Sequence, residues 1–244
     1  MIPVSVHDQN IENGDEEMAK RPIFIANSHS PFFTEVQTDF QYYPGFSLSQ
    51  YQKSIQSLHN EFISINPMYR GKVLEISTKS PSFLGAQLSA FNLKYRCKDG
   101  ICRPLEVVFQ ASKLFENGLQ FFDLLDKSPV DAKHDPRLRN SGRIVGFQLD
   151  DNIFPTVPTT FFYEWLYANA ICSCNNILEA VSSFSAFSDI AFNPQRSINC
   201  QARSAAIVVG LVYADKLDEA ISSPEAFNRI VYITSVRTEQ LSLL

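Results

Sequence analysis

The chain has 244 residues, 45% of them hydrophobic and 19% charged, which is enough for a sizeable buried core in one large domain or two small ones. A net charge of −5 and a pI near 5.4 disfavour a protein that grips long duplex DNA by neutralising phosphates, while leaving room for a local positive site that takes one extruded or single-stranded nucleotide. No apolar stretch reaches the length of a membrane span, no basic-then-apolar leader opens the chain, and the odd, scattered set Cys97, Cys102, Cys172, Cys174 and Cys200 fits reduced thiols; the expectation is a cytoplasmic protein without cofactor or metal.

Residues 1–20 are polar and acidic and read as a flexible tail, with order beginning at Arg21-Pro22 and a short strand at Ile23-Phe24-Ile25. Over 46–64, Ile55, Leu58, Phe62 and Ile63 fall at helical spacing, and Ser47 followed three residues later by Gln50 predicts the N-cap. Val73 to Ser77 reads as a strand and the segment after it as a loop. Strand ends at Leu93 to Tyr95 and Ile101 to Pro104 are joined by an Asp99-Gly100 turn. A helix follows over 104–118. The stretch 126–160 is broken into turns by Asp135-Pro136, Asn140-Ser141-Gly142 and Pro155 to Pro158, and its length suggests a functional surface. Helices are predicted at 159–172, 175–184 and 198–214, with a loop at 188–197 and a last short element within 224–244. The mixture predicts an α+β, mostly helical fold with a small sheet, organised as one domain over 21–244.

Chemistry concentrates in the helix at 104–118. Glu106, Gln110 and Lys113 stand at i, i+4 and i+7, one stripe on a helix, with apolar residues around them. Such a stripe is either a solvated face or the wall of a pocket, and the apolar surroundings argue for the pocket. A sheltered carboxyl holds its proton towards neutrality, and a sheltered amine loses its proton more readily and becomes a nucleophile. Acid, amide and amine together suit attack on an anomeric carbon.

These residues sit among motifs that resemble the NADAR group. Leu74-Glu75-Ile76-Ser77-Thr78-Lys79-Ser80, then Leu88-Ser89-Ala90-Phe91-Asn92, a hairpin, Glu106-Val-Val-Phe-Gln110-Ala-Ser-Lys113, and Lys127-Ser128-Pro129 follow the order of that family. Ala186-Phe187-Ser188-Asp189 and Ser197-Ile198-Asn199-Cys200 resemble its closing loop and its Asn-led last helix, so the match spans about 74–212. Ala90 stands where the family usually carries Asn, with Asn92 as the amide available to replace it; the closing-loop Trp is absent, leaving Phe187 or Phe192 to stack. The N-terminal extension, 21–70, lies outside the common core and resembles the version found as antitoxin partner of DarT-type DNA ADP-ribosyltransferases.

The resemblance implies a glycohydrolase that removes ADP-ribose from guanine in DNA, with ADP-ribosylated DNA as substrate, ADP-ribose as product and a DarT-type toxin as neighbour. It implies Lys113 as the covalent residue and Glu106 as the proton carrier. Ser77, Thr78, Lys79, Phe91, Asn92, Gln110, Asp189, Asn199 and Arg203 are the implied substrate-binding residues. Several have a second reading. Arg203, four residues after Asn199 on an apolar helix, holds either a diphosphate or an internal anion such as Asp189. Asp189 holds a ribose hydroxyl or caps its loop, and Tyr163 and Trp165 stack on a base or fill the core. His59 reads as exposed on its helix, and Lys133, His134, Arg137 and Arg139 as a solvated cluster that could touch phosphates. Two other functions stay open: a metabolic N-glycosidase acting on ribosylamino intermediates of the riboflavin pathway, and a non-catalytic toxin-binding protein.

Overall fold

The computed structural model describes residues 17–173, 175–193 and 197–233. Most of the expected tail, with His7, lies outside the described residues, but Glu17 to Lys20 are already strand. Strand β1 (Glu17–Ala26) pairs along its whole length with β2 (Phe33–Tyr42), so a hairpin of two ten-residue strands stands where three strand residues were expected. β1 alternates strictly between two cores. Ile23 and Ile25 point to helix α1 (Leu48–Ile65), whereas Phe24 and Ala26 point to the larger core on the other face. The α1 cap is the expected one, with Ser47 accepting the Gln50 N–H at 3.3 Å.

β3 (Val73–Glu75) joins the same sheet through β9 (Ala186–Ser188), giving the order β2-β1-β9-β3; β3 runs parallel to β9 and β1 antiparallel to it. Between them, the segment expected as loop contains a short helix, α2 (Phe83–Gln87). Gly85 lets α2 lie on β3, since a Cβ there would stand 2.0 Å from the Glu75 carbonyl oxygen. The predicted hairpin forms as β4 (Lys94–Arg96) and β5 (Cys102–Pro104), with Gly100 at φ 82° in its turn.

Helix α3 (Leu105–Ala111) is shorter than its sequence predicts. The chain turns at Ser112 and enters strand β6 (Lys113–Phe115), which pairs with β7 (Ile144–Leu149); β8 (Asn152–Pro155) completes a three-stranded sheet. The reason is a set of long-range backbone partners. Gln148 N–H donates to the Ser112 carbonyl at 2.7 Å, and the Gln120 amide donates to the Ala111 carbonyl at 3.0 Å, so the helix end is satisfied from outside. The 126–160 stretch therefore holds α4 (Pro129–Lys133), α5 (Arg137–Asn140) and the β7–β8 hairpin, not a chain of turns.

Helix α6 (Phe161–Cys172) is buried on nearly all sides, and α7 (Asn175–Ser182) follows it. α8 (Gln201–Tyr213) covers the sheet face opposite α1, and α9 (Leu217–Ile221), α10 (Pro224–Asn228) and a π-turn over 229–233 close the described chain. Helix outweighs strand about two to one in this α+β fold. The larger core gathers around α6 and α8, and between their ends and α3 it leaves a hollow.

Candidate active site

The hollow is a cavity of about 240 Å³ at the meeting point of α3, α6, the exit of β9 and the start of α8. α3 supplies Glu106, Phe109 and Gln110, α6 supplies Tyr163, and α4 brings Lys133 to the rim. The β9 exit adds Asp189 and Phe192, and the approach to α8 adds Asn199 and Gln201. Larger hollows among the described residues include one of about 450 Å³ under the β4–β5 hairpin, one of about 780 Å³ beside Arg229 and one of about 340 Å³ between Tyr43 and helix α1. None of these three is lined by a buried side-chain atom lacking a partner, whereas the small cavity has two.

Those two atoms are Gln110 Oε1 and Asn199 Oδ1. Gln110 is oriented unambiguously, because its amide nitrogen donates to Glu106 Oε1 at 2.8 Å and leaves the carbonyl oxygen free. Each unpartnered carbonyl is a buried acceptor that water-like or hydroxyl donors of a ligand would satisfy. Glu106 is buried, and the ammonium of Lys133 lies 3.8 Å from its Oε2 and 5.2 Å above the ring of Phe91.

Lys113 does not continue the α3 stripe, since it belongs to β6. It nevertheless returns to the same place. Its register partner Phe147 packs on Phe109, and the Lys113 ammonium sits 5.3 Å over the Phe109 ring, with no carboxylate at ion-pair distance among the described residues. Burial pushes its pKa below the usual lysine value; the Glu106 charge opposes this shift and Lys133 adds to it.

Asp189 is buried, with Oδ1 accepting the Ala191 N–H at 3.1 Å and Oδ2 accepting the Gln201 amide at 3.2 Å. Burial, and then the nearby Glu75, push its carboxyl up to about 8. Gln201 also accepts the Ala90 N–H at 2.6 Å, and the Ala90 carbonyl accepts the Glu106 N–H at 2.9 Å. The loop with the altered Ser89-Ala90-Phe91-Asn92 motif thus ties α3 to α8 through its backbone. Asn92 itself is exposed, and its amide turns back to the Ala86 carbonyl at 2.9 Å.

The remaining expected residues are elsewhere. Ser77 is buried against Glu75 at 2.7 Å, Thr78 is exposed, and Lys79 lies 5.4 Å over Tyr51. Arg203 faces away from the cavity and donates to Glu164 at 2.7 Å, an internal ion pair with a partner other than Asp189. Phe187 is fully buried in the sheet, so Phe192 alone of the two reaches the cavity, and Trp165 packs in the core on Phe154 while Tyr163 meets Phe109 edge-on at 5.3 Å. The cluster around 127–137 is paired internally: buried Asp135 accepts from Lys127 at 2.6 Å and from Arg137 at 2.9 Å, and these cations hold its carboxyl well below the usual range. His134 Nδ1 bonds the Val130 carbonyl.

Sequence reasoning missed Lys133, Gln201 and Glu75 as parts of the site. Glu75 was visible inside the quoted Leu74-Glu75-Ile76 run, where an acid in a strand between two apolar residues is itself a signal of a buried partner. His59, read as exposed, bonds Ser188 Oγ at 2.8 Å, and burial drives its pKa down to about 4.

In chemical terms, the cavity sets two buried carboxyl groups, two free amide acceptors and aromatic walls around one small volume, with a desolvated amine beside it. No helix among the described residues is long and apolar enough to cross a membrane, and none of their His, Cys, Asp and Glu side chains group as metal ligands. A sequence model of the family described as DarT1-associated NADAR antitoxin matches residues 19–241. No curated protein matches the chain significantly.

Proposed function

We propose, because this chain belongs to the DarT1-associated NADAR antitoxin family, that it is a glycohydrolase removing ADP-ribose from guanine bases in DNA. The observation that carries this reading is the meeting of Glu106 and Gln110 at one cavity, with the desolvated amine of Lys113 lying over the ring of Phe109 that lines it. The matched family accounts for the antitoxin role, and the cavity for how a covalent modification could be undone.

In such a substrate the exocyclic guanine nitrogen is bonded to the anomeric carbon of the distal ribose. Glu106 gives a proton to the ring oxygen as the carbon–oxygen bond breaks, and the nitrogen lone pair forms the imine. The proton lost from that nitrogen returns to Glu106. The neutral Lys113 amine then adds to the anomeric carbon, its two N–H protons pass in turn to the guanine nitrogen, and the carbon–nitrogen bond to guanine breaks, so that guanine leaves as the free base amine and a neutral Schiff base remains. The resulting Schiff base takes up water, releases lysine, and the aldehyde closes to ADP-ribose. Gln110 and Asn199 accept from ribose hydroxyls with their free carbonyl oxygens, Asp189 donates its proton in a hydrogen bond to the sugar, and Phe109, Tyr163 and Phe192 exclude water around the reacting carbon.

The test is incubation of the full chain with guanine-ADP-ribosylated DNA. Free ADP-ribose should appear, and borohydride added during turnover should leave an adduct on Lys113 by mass spectrometry. Protection from the toxin without release of ADP-ribose would sink the enzymatic reading in favour of toxin binding, and release without an adduct would sink the covalent route alone.

A further inference from the structure

Helix α1 lies outside the motifs that carry the chemistry, yet one of its side chains reaches the end of β9, next to the cavity residue Asp189. His59 Nε2 is 2.8 Å from Ser188 Oγ. Ser188 spends its own proton on Glu75 Oε2 at 2.5 Å, so the imidazole must donate and carries its proton on Nε2. Glu75 also accepts the Ser77 hydroxyl at 2.7 Å and the Ile190 N–H at 2.9 Å, both on Oε1. Three donors therefore converge on one buried carboxyl group; burial pushes its pKa up, and the hydrogen bonds from Ser188, Ile190 and Ser77 oppose that rise. Two of these donors, Ser188 and Ile190, flank Asp189. Glu75 thus grips the chain on both sides of the residue that enters the cavity.

We propose that His59 is a positioning residue of this site: its Nε2–H orients Ser188 onto Glu75, and Glu75 fixes Asp189 at the cavity wall, which makes helix α1 part of the working site. The relay runs in one direction, from ring to hydroxyl to carboxyl group, and each member has a fixed role. Ser188 without the imidazole has a lone pair with no donor in a fully buried position. Its hydroxyl can then rotate away from Glu75, and the Asp189 segment loses one of its two anchors. In this the inference rests on the glycohydrolase reading only for its activity measurement.

The experiment compares the full chain with His59→Ala and His59→Gln, the glutamine amide being able to place an N–H where Nε2–H stood. With guanine-ADP-ribosylated DNA, His59→Ala should lose about tenfold in kcat with KM within about twofold, and His59→Gln should stay within about threefold of the original in both. In the absence of substrate, the Ile190 amide should exchange its hydrogen about tenfold faster in His59→Ala and at the original rate in His59→Gln. Nitrogen-15 NMR of the ring should report the Nε2–H tautomer. Unchanged turnover and exchange in His59→Ala would overturn the proposal, as would a His59→Gln protein as defective as the alanine variant. If the original chain releases no ADP-ribose, the glycohydrolase reading falls, and the exchange pattern alone decides the relay.

Discussion

Arg203 offers the sharpest test of how this site is divided between binding and support. Its Nε donates to Glu164 Oε1 at 2.7 Å, and its Nη2 stands 2.6 Å from the same oxygen but off the hydrogen-bonding direction. The other Glu164 oxygen accepts from the Tyr232 hydroxyl, which also meets Thr160 Oγ1 at 3.2 Å. Glu164 is 2% exposed and the Arg203 side chain 22%. Replacing Arg203 by Met keeps most of the packing and removes the cation from a buried carboxylate. Losing one partner of such a pair costs roughly 3–5 kcal/mol. The partial exposure of the guanidinium and the remaining Tyr232 donor place this one at the low end, about 3 kcal/mol. For a chain of this size each kcal/mol moves Tm by about 2–4 °C, so the expected drop is about 6–12 °C. Thermal unfolding followed by circular dichroism measures it. Adding Glu164→Gln to Arg203→Met should recover more than half of the loss, because the stranded charge is then gone. ADP-ribose affinity of the folded Arg203→Met protein, by calorimetry well below its Tm, should stay within about threefold. An unchanged Tm with affinity reduced by about tenfold or more would refute the reasoning and return Arg203 to the diphosphate.

Four further outcomes rest on the same geometry. Lys113→Met should leave ADP-ribose binding intact, abolish the borohydride adduct and lower turnover by about three orders of magnitude; a variant keeping a tenth of the original rate would exclude Lys113 as nucleophile. In the original chain, the rate should climb on the acid side as the Lys113 ammonium loses its proton, at lower pH than an ordinary lysine would, because burial lowers its pKa. Asp189 makes stability fall with pH: its carboxyl titrates near 8 when folded and near 3.9 unfolded, so between those values the folded state holds the extra proton and each pH unit removes about 1.4 kcal/mol. Asp189→Asn should therefore be no more stable than the original at pH 4 and clearly more stable at pH 8, and parallel Tm–pH curves for the two proteins would contradict the assignment. Gly85→Ala should destabilise by about 2 kcal/mol in urea unfolding, since its Cβ would meet the Glu75 carbonyl at 2.0 Å and Ser80 Oγ at 2.3 Å, and this crowding outweighs the roughly 1 kcal/mol helix-propensity gain.

What local sequence could and could not reveal follows from where each group finds its partner. The α1 cap, the Asp99-Gly100 turn and helices α6 and α8 were legible because their determinants lie within a few residues of one another. The full β1–β2 hairpin was not, because β2 is half exposed and polar and takes its conformation from pairing with β1. The same limit governs Lys113. Helical spacing placed it beside Glu106 for a reason that does not hold, since residues 112–115 give their backbone to β7; its ammonium reaches Phe109 by another path.

The site divides along this line. Gln110 and Glu106, one helical turn apart, were readable as a pair. Arg203 announced only that an anion must be near, and the anion is Glu164, 39 residues earlier in the chain. Glu75 meets Ser77 locally but Ser188 and Ile190 more than a hundred residues later. A buried charge in an apolar run is thus a statement that a partner exists, and only the fold says which. For Glu75 that partner set includes a histidine relay from α1, a helix whose sequence shows nothing but its own amphipathic face. Function here depends on contacts between segments that each look structurally ordinary, which is why single substitutions at Glu75, Ser188 and His59 are more informative about the site than further motif comparison.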